Sequence, residues 1–232
     1  MSDLARNLDT VRQQIRDAER AAGREEGSVA LLPVTKFHPA ERIIELASLG
    51  VVLVGENREQ EARDKAAALE GRCGIAMIGQ IQSKKANSVA RWASEVHSLD
   101  SLKLAHGLDR GMALALERGD RTGETLPCMV QLSYDGDTAR GGAHLDDVPA
   151  TVAAVEESEH LEMAGFMVVP PLDSQPREVF AQARSLTDDY AAKLKRNLRL
   201  SAGMSGDFVD AIECGSDIVR VGTALLGPRP VL

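Results

Sequence analysis

Lys36 closes the first apolar run of the chain, Val29-Ala30-Leu31-Leu32-Pro33-Val34-Thr35-Lys36. A primary amine at the end of a buried strand is a group that can condense with an aldehyde. Far downstream, Ser205-Gly206-Asp207 and Gly222-Thr223 are glycine-containing turns of the kind that leave backbone N–H groups free for a phosphate. Arg220 lies in Ile218-Val219-Arg220-Val221-Gly222, where alternation sets it on the face opposite Val219 and Val221. A buried arginine needs a partner, and a pyridine nitrogen facing it would stay unprotonated because guanidinium does not give up its proton. Each part alone has a plainer reading: a solvated lysine, an ordinary helix cap, an outward arginine bonded to a helix carboxylate. Together they describe a pyridoxal phosphate site whose ring is a poor electron sink.

Eight short apolar runs, at 29–35, 51–55, 74–79, 95–99, 127–133, 161–169, 197–201 and 217–222, alternate with helical patterns. Leu4, Leu8, Val11 and Ile15 repeat at helical spacing before the first of them, an additional N-terminal helix ending near Gly23. Helix punctuation recurs between the runs: Pro39 with Gly50, Asn57 with Gln60, Ser83 before Lys84, and Ser205 before a segment closing at Gly215. Eight strand–helix alternations without a linker predict an α/β fold, a single (β/α)8 barrel over residues 1–232. An open doubly wound sheet is the main alternative, but no Gly-x-Gly-x-x-Gly follows the first strand. In a barrel, chemistry belongs at the carboxyl ends of the strands, where Lys36, Asn57, His97, Ser205, Gly206, Gly222 and Thr223 fall. His97 reads as an orienting or a structural residue, and the glycine-rich loop 134–144 as a flap or a connection.

Composition narrows the partners. With one Trp, two Tyr and four Phe, the core is left to aliphatic residues, as suits helices on a parallel sheet. A net charge of −8 argues against nucleic acid or an anionic membrane, and Lys84-Lys85 reads as a helix start. Cys73, Cys128 and Cys214 lie too far apart for a paired zinc motif, so reduced thiols in the cytoplasm and no metal are expected. The charged N-terminus is unlike a secretion signal, and the scarcity of aromatic anchors favours a monomer.

Ordered motifs along the chain carry a resemblance: Pro33-Val34-Thr35-Lys36, Gly55-Glu56-Asn57-Arg58-Glu59-Gln60-Glu61, Ile78-Gly79-Gln80-Ile81-Gln82-Ser83-Lys84-Lys85, His97-Ser98-Leu99-Asp100, Met204-Ser205-Gly206-Asp207-Phe208 and Arg220-Val221-Gly222-Thr223. The chain resembles the pyridoxal phosphate homeostasis proteins, the YggS/PROSC type. The likeness implies a barrel of the alanine racemase N-terminal type, with pyridoxal 5'-phosphate held as a Schiff base on Lys36. By the same likeness Asn57 sits near the ring, Arg220 meets its nitrogen, and Ser205, Gly206, Gly222 and Thr223 bind the phosphate. Members are regarded as carriers or buffers of the cofactor in its intracellular homeostasis, with apo-enzymes as recipients, and not as established enzymes. The chain departs from the usual pattern at Gln80, His38 and Arg140, where the family has His, often Lys, and often Lys.

A weak amino-acid racemase is the alternative. Racemisation needs bases on both faces of the substrate. Lys36 supplies one, and the tyrosines are Tyr134, in the loop, and Tyr190, in an outer helix. The expectation is therefore a cofactor-binding protein with no catalytic residues.

Overall fold

Short runs of Leu, Val, Ile, Ala and Met, bounded by glycines and polar turns, become strands because alternate side chains can be buried on both faces of a parallel sheet. In the computed structural model, which describes residues 2–137 and 140–228, they are β1 (Ala30–Pro33), β2 (Leu53–Glu56), β3 (Gly74–Met77), β4 (Glu95–Leu99), β5 (Leu126–Ser133), β6 (Ala143–His144), β7 (Leu161–Val168), β8 (Arg199–Ser201) and β9 (Ile218–Val221). Eight of them pair in the order β1-β9-β8-β7-β5-β4-β3-β2, all parallel. A parallel bridge between Val34 and Gly55, with Thr35 N–H donating to the Gly55 carbonyl at 3.0 Å, joins the ends of this path. The ring is the expected barrel, not an open sheet. The two-residue β6 was not anticipated; it pairs with β5 beside the ring.

The helices are α1 (Asp3–Ala21), α2 (Ala40–Ser48), α3 (Glu59–Leu69), α4 (Ala86–Trp92), α5 (Leu102–Glu117), α6 (Val148–Glu156), α7 (Pro176–Leu194), α8 (Phe208–Glu213) and α9 (Thr223–Leu226). They and the outward strand residues form a large shell core, whereas Leu32, Ala76, Met129, Met167 and Ile218 pack as a small core inside the ring. Val219 and Val221 belong to the shell, and Arg220, between them, is 3% exposed inside the barrel. The additional helix α1 buries Leu4, Leu8, Val11 and Ile15, is capped by Ser2, and is tied to α9 by Asn7, whose side-chain amide donates to the Leu225 carbonyl at 3.0 Å.

Two caps differ from the sequence reading. Arg58, not Asn57, is the N-cap of α3, without a side-chain bond. Asp207, not Ser205, is the N-cap of α8, and its carboxylate turns back to accept from Met204 N–H at 2.6 Å. Both predicted cap residues are thereby left to face the barrel mouth. Lys84-Lys85 does start a helix, in a 3-10 turn (Ser83–Lys85) leading into α4, with Lys85 Nζ 3.1 Å from Glu59 Oε2. Among the described residues no helix is long and apolar enough to cross a membrane, and no group of His, Cys, Asp and Glu is placed to hold a metal ion. Residues 1, 138–139 and 229–232 of the expected 1–232 domain lie outside the described residues.

Candidate functional site

The carboxyl ends of the strands surround a cavity of about 580 Å3. Lys36, Asn57, Ser205, Gly206, Arg220, Gly222 and Thr223, chosen from four separate stretches of sequence, all line it. Ile78, Gly79, Gln80, Gln131 and Arg140 complete much of the wall. No Asp, Glu, His, Cys or Tyr lines the cavity among the described residues, and Lys36 is its one amine.

The turn that presents Lys36 is clamped on both sides. Before it, Thr35 donates its hydroxyl to Glu56 Oε1 at 2.5 Å, and its carbonyl accepts from Lys65 Nζ at 3.0 Å. After it, Phe37 N–H donates to Glu61 Oε1 at 2.7 Å, and Phe37 holds a φ of 69°, unusual for a residue with a side chain. Lys65 binds Glu56 and Glu61 at 2.7 Å each while only 6% exposed. Glu56 is fully buried; burial pushes its carboxyl up, against Lys65 and Thr35, and its Oε2 has no partner. Sequence reading missed this network. Glu56 and Glu61 lay inside a motif already noticed, but Lys65 on a polar helix reads as a solvated lysine.

Asn57 is placed by a close backbone approach. A Cβ on Gly79 would lie 2.1 Å from the Asn57 carbonyl oxygen, so the end of β3 can meet the end of β2 only without a side chain there. Gly79→Ala is expected to push Asn57 out of the cavity wall and to cost about 1–3 kcal/mol in urea unfolding. An unchanged midpoint would mean that the two chain ends part freely.

Arg220 donates to Ser201 Oγ and to the Val168 carbonyl, both at 2.9 Å. Its partners are neutral, and among the described residues it enters no ion pair. Burial lowers its pKa to about 10, opposed by Asp207, so it stays charged at neutral pH. In the same cavity, the backbone N–H groups of Ser205, Gly206, Gly222 and Thr223 have no acceptor among the described residues. Four unpaired donors and a buried cation, with no lining carboxylate, make the cavity a receptor for an anion.

The described part of the 134–144 loop lies at this mouth; residues 138–139 are outside the described residues. Arg140 donates to Asp135 Oδ2 at 3.0 Å and to the Val169 carbonyl at 3.1 Å, and its own carbonyl accepts from Gln131 Nε2 at 3.0 Å. Tyr134 packs against the shell core, where burial pushes its hydroxyl up to about 12. Tyr190 packs against Phe166 in a tilted pair, with centroids 5.3 Å apart and the ring planes at 54°.

His97 does not line this cavity. It is 1% exposed inside the barrel, with Nε2 2.7 Å from Glu95 Oε2. Burial lowers its pKa below the ordinary 6.5, assisted by Arg220 and Arg199 and opposed by Glu95. A depressed pKa means that the unfolded chain takes up a proton first, so stability is retained above 6.5 and lost as pH falls below it. Urea unfolding between about pH 7 and about pH 5 should show a loss of up to ~1.4 kcal/mol per pH unit from this group. His97→Gln should flatten that slope; an identical slope in the variant would assign it to carboxylates.

Comparison with known proteins places the chain in a family. The family model for the alanine racemase N-terminal domain matches residues 6–230. The pyridoxal phosphate homeostasis protein of Corynebacterium glutamicum is 57% identical over 208 residues, covering 90% of this chain and 94% of the relative. The protein of the same description from Mycobacterium tuberculosis H37Rv is 44% identical over 243 residues, covering 98% and 93%. The solved structure of PipY of Synechococcus elongatus PCC7942 with PLP bound is 31% identical, with a TM-score of 0.81 over 97% of this chain and 100% of that one. An alanine racemase of Clostridium difficile shares the fold at 17% identity and TM-score 0.68, and this chain spans 57% of its length. The chain therefore belongs to the pyridoxal phosphate homeostasis proteins, within the family of the alanine racemase N-terminal domain.

Proposed function

We propose that this protein binds pyridoxal 5'-phosphate in the upper cavity, covalently through Lys36, and holds it as a cellular reserve that apo-enzymes draw on. The observation that carries the reading is the convergence of one amine, four unpaired backbone donors and an arginine without a carboxylate on one cavity. Ser205, Gly206, Gly222 and Thr223 receive the phosphate, Arg220 faces the ring nitrogen, and Asn57 sits against the ring. When bound, the cofactor supplies an electron sink, which a ring nitrogen left unprotonated by Arg220 weakens.

The chain's own residues favour holding over turnover. Lys36 is the one lining group, among the described residues, whose side chain can act as a proton-transfer base, and a second base for racemisation is lacking among them. Tyr134 and Tyr190 are engaged in the shell, away from the cavity. We assign the protein a single domain, a monomeric state and a cytoplasmic location. The three free thiols, with Cys73 pushed up to about 11 by burial, suit a reducing compartment.

Borohydride reduction of freshly purified protein followed by peptide mass mapping tests the site. A pyridoxyl adduct on Lys36 supports it, and indiscriminate marking of surface lysines overturns it. Mixing holo-protein with an apo-enzyme and a trap for free cofactor tests delivery. Activation no faster than release into solution would sink direct transfer.

A further inference from the structure

A second cavity, of about 620 Å3, opens at the amino-terminal end of the barrel, away from Lys36. One wall is α1, which presents Arg12, Ile15, Arg16 and Glu19 at the spacing of one helix face. The other is the start of the strands, with Leu31, Leu32, Leu53 and Ile218 giving apolar sides and Glu95, His97 and Arg199 a polar patch. That end of such a barrel normally serves stability and is filled by branched apolar residues. A buried histidine, a carboxylate and an arginine are costly there and are unused by the upper site.

The polar groups of this patch are satisfied except for one atom. Glu95 takes His97 Nε2 on Oε2 and Arg199 on Oε1 at 3.3 Å. Glu19 is consumed by Gly27 N–H, the Ser28 hydroxyl and Val29 N–H. His97 Nδ1 is buried and has no partner. With the Nε2 proton committed to Glu95, a neutral His97 leaves Nδ1 as a lone-pair acceptor that calls for a hydroxyl or amine donor. Near the mouth, Arg12 enters no ion pair among the described residues and donates to the Leu49 carbonyl only at 3.5 Å. Arg16 bonds the neutral Gln13 Oε1 at 2.6 Å and meets a carboxylate, the largely exposed Glu26, only at 3.6 Å, so its charge is not closely paired.

We infer that this lower cavity is a binding site for a small carboxylic acid with a hydroxyl group at its far end. The carboxylate pairs with Arg12 and Arg16, the stem lies along Leu31 and Leu53, and the hydroxyl donates to His97 Nδ1. The additional helix α1 then has a role beyond covering the barrel: it supplies the anion-binding wall.

The test is a calorimetric titration of the purified protein with ω-hydroxy acids of four to eight carbons, beside the matching plain acids and ω-hydroxy amides. One chain length should bind best, and losing either the hydroxyl or the charge should weaken it about tenfold. Arg12→Ala should remove the advantage of acid over amide. Filling the upper cavity with pyridoxal 5'-phosphate, on the reading proposed above, should leave it intact. In the unaltered protein the 15N resonance of His97 Nδ1 should shift on titration, a reading that needs no buried variant to fold. No binding by any acid, binding blocked by pyridoxal 5'-phosphate but kept in Arg12→Ala, or an unmoved His97 resonance would each overturn the inference.

Discussion

Lys36→Ala yields a protein that gives no borohydride-stable pyridoxyl adduct, loses the absorbance band of the bound cofactor, and still takes up the phosphate end reversibly. The expectation follows from the division of labour in the cavity. The donors proposed for the phosphate are backbone N–H groups of Ser205, Gly206, Gly222 and Thr223, which the substitution leaves alone. Charge-assisted bonds of this kind contribute about 1.5–3 kcal/mol each, so weak binding persists. The covalent link has no substitute, because Lys36 is the one amine among the described lining residues and nearby Lys65 is committed to Glu56, Glu61 and the Thr35 carbonyl. Affinity should fall about a hundredfold or more, on the order of 3 kcal/mol. A specific adduct at another single residue in the variant would show that the cavity does not depend on this amine.

How far the sequence foretold this arrangement depends on the range of each contact. Strand and helix positions are written in local alternation, so the eight runs recur as β1–β5 and β7–β9, with ends unchanged or shifted by at most two residues. Arg220 was legible for the same reason: period-two alternation separates it from Val219 and Val221 whatever the rest of the chain does. The seven proposed site residues, which line one cavity, stand out in the sequence as motif members at or near strand ends, which a barrel must gather at one mouth. The clamp around Lys36 was not. It joins Thr35, Glu56, Glu61 and Lys65 across β1, β2 and α3, and no local period marks a helix lysine as buried. Likewise Asn57 and Ser205 carry cap-forming side chains, and only the fold decides that Arg58 and Asp207 take the cap positions.

That hidden clamp gives the largest expected effect on stability. Lys65→Met removes the one cation from a buried site holding a fully buried carboxylate, and an uncompensated buried charge costs about 3–5 kcal/mol. The loss should depend on pH in a definite sense. Burial already raises the Glu56 pKa, while Lys65 lowers it, so removing Lys65 lets it rise further. A raised pKa makes stability fullest below the unfolded value and lost as pH rises through the folded one. Lys65→Met should therefore be most harmful at neutral pH and milder on acidification. Adding Glu56→Gln should restore part of the loss, since the stranded charge is then gone. Denaturant unfolding of the single and double variants checks both statements; a deficit that is constant with pH and additive in the double variant would refute the charge argument. Function should follow through geometry: with Thr35 and Phe37 less firmly held on either side of Lys36, attachment at Lys36 should slow even where the variant is fully folded.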